Sequence, residues 1–85
     1  MKSPTDSVDT AEITAGQVRA ARALLDWSQE ELADRAGVTR RTIAGFENGE
    51  KVPHKSTVER IADVFEDNGV SFINSGDAIG VVRRP

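Results

Sequence analysis

Ser28-Gln29-Glu30-Glu31-Leu32-Ala33-Asp34-Arg35-Ala36-Gly37-Val38-Thr39-Arg40-Arg41-Thr42-Ile43 reads as two short helices with a tight turn between them. Ser28, with Glu31 three positions on, has the form of a capping box: the hydroxyl accepts a first-turn N–H and the carboxylate reaches back. Leu32, Ala33 and Ala36 fall on one face, and Glu31 precedes Arg35 by four residues, the favourable order for a helical ion pair. Gly37 lies where the helix needs a terminating residue of positive φ. Thr39 then caps a second helix, which runs through Ile43 and Phe46 to about Asn48 before Gly49 stops it. Two helices joined by so short a turn cross steeply only if the first offers a small side chain where the second approaches. Ala33 is that small side chain, and Ile43 with Phe46 is the approaching face. Alanine and glycine are common, so the spacing alone also suits an ordinary helical hairpin.

On the N-terminal side, Thr14-Ala15-Gly16-Gln17 is another capping box and opens a helix to about Asp26. Val18, Ala21 and Leu25 are its buried stripe, with Leu24 alongside. On the C-terminal side, a loop holding Pro53 leads to a helix from about Ser56 or Thr57 to Asp67. Its core stripe is Val58, Ile61, Ala62 and Phe65, and Asn68-Gly69 is its stop. The period then changes from helical to alternating. Val70-Ser71-Phe72-Ile73 and Gly80-Val81-Val82-Arg83 are β-like runs around Asn74-Ser75-Gly76-Asp77, which reads as a hairpin. Residues 1–12 are rich in Ser, Thr and Asp and read as a flexible leader. The expected organisation is therefore a leader over 1–12, a helical domain over 13–69 and a β extension over 70–85.

Composition narrows the function. In 85 residues, 38% are hydrophobic and 29% charged, which is a globular mix. No apolar run approaches the roughly 20 residues of a bilayer span. The N-terminus carries no apolar stretch of the secretory kind, and there is no cysteine for a disulfide or thiolate site; both fit a cytoplasmic protein. The single histidine, His54, has no second ligand beside it and reads as surface, so neither a metal nor another cofactor is expected. No nucleophile elbow, phosphate loop or dinucleotide fingerprint points to an enzyme. The formal net charge of −3 counts against nucleic acid as a partner until the charge is divided by position. Residues 38–60 carry Arg40, Arg41, Lys51, Lys55 and Arg60 against Glu47, Glu50 and Glu59. Residues 61–77 hold Asp63, Glu66, Asp67 and Asp77 with no base at all. What DNA feels is the local patch, and here the patch is basic.

The string from Ser28 to Ile43, followed by Phe46-Glu47-Asn48-Gly49 and a proline four residues later, resembles the helix-turn-helix of the Cro/phage-repressor (Xre) family. The resemblance covers about residues 14–67. It implies a mainly α, compact four-helix lambda-repressor-like domain whose third helix, 39–48, enters the DNA major groove as that of a transcriptional regulator, typically a repressor. The family's base-reading positions are occupied here by Arg40, Arg41 and Gly45. An arginine can donate two bonds to guanine O6 and N7, so a guanine-containing half-site is expected; the two arginines diverge by about 100° and can divide between base and phosphate. Gln29, Thr39, Thr42, Asn48, Lys51 and Lys55 match positions near the DNA backbone, although Gln29 also suits a plain first turn and Thr39 a plain cap. Relatives pair an arginine late in the first helix with the glutamate of Glu-Asn-Gly, which implies an Arg22–Glu47 ion pair shielded from water.

The β extension departs from the fifth helix usual in such repressors. An isolated two-stranded ribbon is marginal in water. One expectation is that the strands pair across a two-fold axis or pack on a second copy, with Phe72, Val81 and Val82 at a homodimer interface suited to a palindromic operator. The other is a hairpin folded back over the fourth helix of its own chain. A protein-interaction module, antitoxin-like or anti-repressor, that keeps this fold and holds a protein partner is the rival function.

Overall fold

A computed structural model describes residues 13–85, and the expected leader lies outside the described residues. The order is α1 (Ala15–Leu25), α2 (Gln29–Ala36), α3 (Arg40–Glu47), α4 (Lys55–Asp67), β1 (Val70–Asn74) and β2 (Ile79–Arg83). This is the expected mainly α fold, four helices followed by a two-stranded antiparallel sheet.

Local chemistry sets the helix ends. Thr14 and Gln17 form the complete capping box: Thr14 Oγ1 accepts from Gln17 N at 3.1 Å, and Gln17 Oε1 accepts from Thr14 N at 2.9 Å. At α2 only half of the box forms. Ser28 Oγ accepts from Glu31 N at 3.0 Å, but the Glu31 carboxylate turns outward to Arg35 Nε at 2.9 Å, because one side chain cannot serve both partners. Gly37 closes α2 with φ of 69°, a conformation that costs a residue with a Cβ roughly 1–2 kcal/mol. Thr39 caps α3 by accepting from Thr42 N at 3.2 Å. The start of α4 corrects the expected boundary. It begins at Lys55 rather than Ser56 or Thr57, because His54 Nδ1 accepts from Ser56 N at 3.2 Å and serves as the cap. An imidazole acceptor is not among the hydroxyl and carboxylate signals that mark helix starts.

The core draws on every element. Val18, Leu32, Ile43, Ile61, Phe65 and Val70 are its largest fully buried side chains. Ala33, on the turn-proximal half of α2, is 2% exposed and lies in the core. Trp27 stacks on Phe65 with ring centroids 5.6 Å apart, and Phe72 meets Phe65 edge-on at 5.8 Å.

The strands pair with each other inside the chain, Val70 opposite Arg83 and Phe72 opposite Val81. Side chains alternate along a strand, so Val70, Phe72 and Val81 face the helices while Ser71, Ile73 and Val82 face outward. Two findings correct the expectation of strands held by a second copy. The hairpin closes within the chain, and Phe72 is 4% exposed in the chain's own core, where burial of such a side chain stabilises by about 1.5–3 kcal/mol. Val81 is half-buried against the same core, and only Val82, 48% exposed, is open to a partner. The hairpin is bolted to α1 by polar contacts. Gln17 Nε2 donates to Ile73 O at 3.1 Å and Gly80 O at 2.9 Å, and Arg83 Nη1 donates to Leu24 O at 2.9 Å.

Candidate nucleic-acid interface

The rear of α3 is fixed by its last residue. Glu47 is 3% exposed, and a buried carboxylate needs compensating donors. Arg22 supplies two in a fork, Nε to Oε2 at 2.7 Å and Nη2 to Oε1 at 2.8 Å, while its Nη1 donates to Trp27 O at 2.9 Å. The bond to Glu47 raises the Arg22 pKa above its ordinary value, against the opposing effect of burial. The implied ion pair is thus present, and its carboxylate is shielded from water.

Two further members of this clamp escaped sequence reasoning. Gln29 Nε2 donates to Glu47 Oε1 at 3.1 Å, so the amide expected at a DNA phosphate makes a bond inside the protein. Its second N–H and its oxygen are uncommitted among the described residues. Arg19 Nη1 donates to the Glu47 carbonyl. Its position was a usable signal, since a residue three before Arg22 on a helix faces the same neighbour.

With Ile43, Phe46 and Glu47 buried, the opposite side of α3 faces outward. Arg40 and Arg41 are both exposed, and neither makes a hydrogen bond or ion pair among the described residues. The two arginines differ in position. Arg41 lies one turn before Gly45 on the same stripe and borders an open depression with it, together with Thr39, Ala44, Glu50 and Lys51. Arg40 stands on the flank, in line with Ala44. A Cβ added at Gly45 would meet nothing within 4 Å, so the depression is what a missing side chain leaves.

The other expected positions surround this face without converging on a single point. Thr39 and Thr42 are joined hydroxyl to hydroxyl at 3.0 Å at the N-terminus of α3. Asn48 is the C-terminal cap of α3, exposed, with its amide 3.4 Å from Glu50 Oε1. Lys51, in the loop, shares a second hollow with Arg41, Val52 and His54. Lys55 opens α4 and is exposed. Together these make a surface that is mostly cationic, backed by the clamp on Glu47. No group of three or more potential metal ligands occurs among the described residues, and no helix there is long and apolar enough to cross a membrane.

Comparison with known proteins matches the elements that build this surface. A helix-turn-helix family model matches residues 18–66, from α1 into α4. The chain is 38% identical over 50 residues to an uncharacterized HTH-type transcriptional regulator of Mycobacterium bovis, and equally so to counterparts in Mycobacterium tuberculosis. That stretch is 59% of this chain but 20% of each mycobacterial relative, so the chain spans about a fifth of their length. It is 39% identical over 49 residues to the uncharacterized HTH-type transcriptional regulator YgzD of Bacillus subtilis, covering 58% of this chain and 74% of that protein. With more than half of its length matched, and with the paired short helices, the Gly37 turn and the Arg22–Glu47 clamp all in place, the chain belongs to the Cro/phage-repressor (Xre) family of helix-turn-helix transcriptional regulators.

Proposed function

We propose that this protein binds double-stranded DNA in a sequence-dependent manner as a cytoplasmic transcriptional repressor, with α3 in the major groove. The observation that carries this reading is the pair of exposed arginines, unpartnered among the described residues, on the outward face of a helix whose inward face is clamped. An arginine held this way donates two bonds to guanine O6 and N7, worth about 1–3 kcal/mol of discrimination. Arg41, in the depression, is the base reader; Arg40, on the flank, holds a phosphate. Lys51 and Lys55 add sequence-independent attraction, as do the free groups of Gln29 and the N-terminus of α2. The partner is a second copy through the outward face of the hairpin, where Ile73 and Val82 are exposed, and the operator is a palindrome with half-sites about 34 Å apart.

Selection of bound sites from random DNA, with affinity then measured against salt, tests the reading. The expected result is a guanine-containing half-site and a log–log slope of about −5 for about 6 phosphate contacts. Arg41→Ala abolishes the preference for guanine, and Arg40→Ala weakens all sequences alike. A chain that selects no motif, and whose affinity ignores salt, sinks the proposal. The exposed acids Glu59, Asp63, Glu66 and Asp67 along α4 favour the protein-interaction reading in that case.

A further inference from the structure

The loop leaving α3 carries a carboxylate onto the basic face. Gly49 adopts φ of 74° and reverses the chain, so that Glu50 N and Lys51 N both donate to Gly45 O, at 2.9 and 3.3 Å. Those bonds hold the Glu50 backbone against the last turn of α3. Glu50 borders the depression over Gly45 together with Arg41, and among the described residues it is the only acid lining it. Glu50 is exposed and forms no ion pair with Arg41 or Lys51, although both border the same depression. Among the described residues its carboxylate accepts only a long bond, 3.4 Å, from Asn48 Nδ2. Most of its acceptor capacity is therefore free.

A free carboxylate facing a polyanion lowers affinity unless it meets a donor. In the major groove the exocyclic donors are cytosine N4 and adenine N6, while guanine O6 and thymine O4 are acceptors that repel it. Where a cytosine follows a guanine on the same strand, the guanine acceptors and the amino group of that next cytosine succeed one another along the groove floor. An arginine and a carboxylate that border one depression, over a glycine with no side chain, match that succession of acceptor and donor. We infer that Glu50 is a specificity-determining residue, accepting a hydrogen bond from a cytosine amino group beside the guanine read by Arg41. This rests on the DNA-reading function proposed above. The open space at Gly45 admits the base edges, and Glu50 rejects guanine or thymine at the cytosine position by acceptor–acceptor repulsion.

Random-site selection with the full chain and with Glu50→Ala and Glu50→Gln tests it, with urea midpoints confirming that each variant is folded. The wild type selects cytosine at one position per half-site beside the Arg41 guanine. Glu50→Ala loses about tenfold discrimination there while keeping the guanine. Glu50→Gln moves the preference from cytosine to adenine, whose N6 and N7 suit an amide. Replacing the selected cytosine by its N4,N4-dimethyl form weakens the wild type and leaves Glu50→Ala unaffected. The inference is overturned if Glu50→Ala raises affinity for every sequence by one common factor and selects the unchanged motif, since Glu50 is then only a repulsive charge. It is overturned equally if the wild type prefers adenine at that position. A wild type that selects no motif overturns the DNA-reading function itself, a result distinct from both.

Discussion

Four hydrogen bonds converge on Glu47: two from Arg22, one from Gln29 and one, to its carbonyl, from Arg19. Such a cluster is weak evidence of net stability, because removing two charges from water costs nearly what their attraction returns. Its value is positional, since it ties α3 to α1 and α2 at one atom group. Breaking one side is another matter. Glu47→Gln leaves the Arg22 guanidinium, with a side chain only 20% exposed, without its counter-charge. The expected cost is about 3 kcal/mol, read as a lower urea midpoint. An unchanged midpoint would mean that the pair contributes nothing to holding α3.

Among the elements, the hairpin depends most on its neighbours, because two strands alone are marginal. Phe72 and Val70 supply its apolar anchor, and Gln17 supplies the polar one by donating to a carbonyl on each strand. Gln17 is 3% exposed and also closes the α1 capping box, so one side chain joins a helix start to a sheet. Gln17→Ala should cost about 1–3 kcal/mol, since two carbonyls lose a donor and Thr14 N an acceptor. Hydrogen exchange checks where the loss falls. Protection should drop most at the hairpin amides and least in α2 and α3; a uniform drop would show that the hairpin opens only when the whole domain unfolds.

Over the whole molecule, charge is polarised: bases on α3 and the following loop, acids along α4. Glu66 reports the strain of the acidic side. Its pKa is raised, by burial first and then by Asp63 and Asp67, with Arg84 opposing. A carboxyl raised in the folded state binds its proton more readily there than when unfolded, so its charge destabilises the fold at neutral pH and the penalty fades as pH falls through the raised pKa. Glu66→Gln should therefore raise the urea midpoint at pH 7, by at most about 0.5 kcal/mol for so exposed a site, and the advantage should vanish in acid. Association is checked at the opposite surface. Val82→Asp, on the outward face of the hairpin, should leave the monomer's melt nearly unchanged and turn the proposed dimer into monomer in sedimentation; a persisting dimer would place the interface elsewhere.

Amino-acid order alone determined the four helices, the turn at Gly37 and the Thr39 cap, because caps, glycine conformations and helical periods act within a few residues; the Arg22–Glu47 pair was implied by the family resemblance, both partners being present. The strands were legible as strands from their alternating period. Tertiary structure decided what lay beyond that reach. Phe72 and Val82 have the same apolar character in the sequence, yet one fills the core and the other faces solvent, because the hairpin's register against α1 and α4 sets which face is inward. Gln29 reads from its position as a residue at the DNA backbone; that its amide also reaches Glu47, at 3.1 Å, only the fold could set. Glu50 is one of three acids in a basic segment by sequence, and the loop bonds to Gly45 O bring it to the depression that Arg41 also borders. In each case the deciding partner is a side chain or a carbonyl that only the packed chain brings within a few ångströms, and a residue's type does not encode that distance.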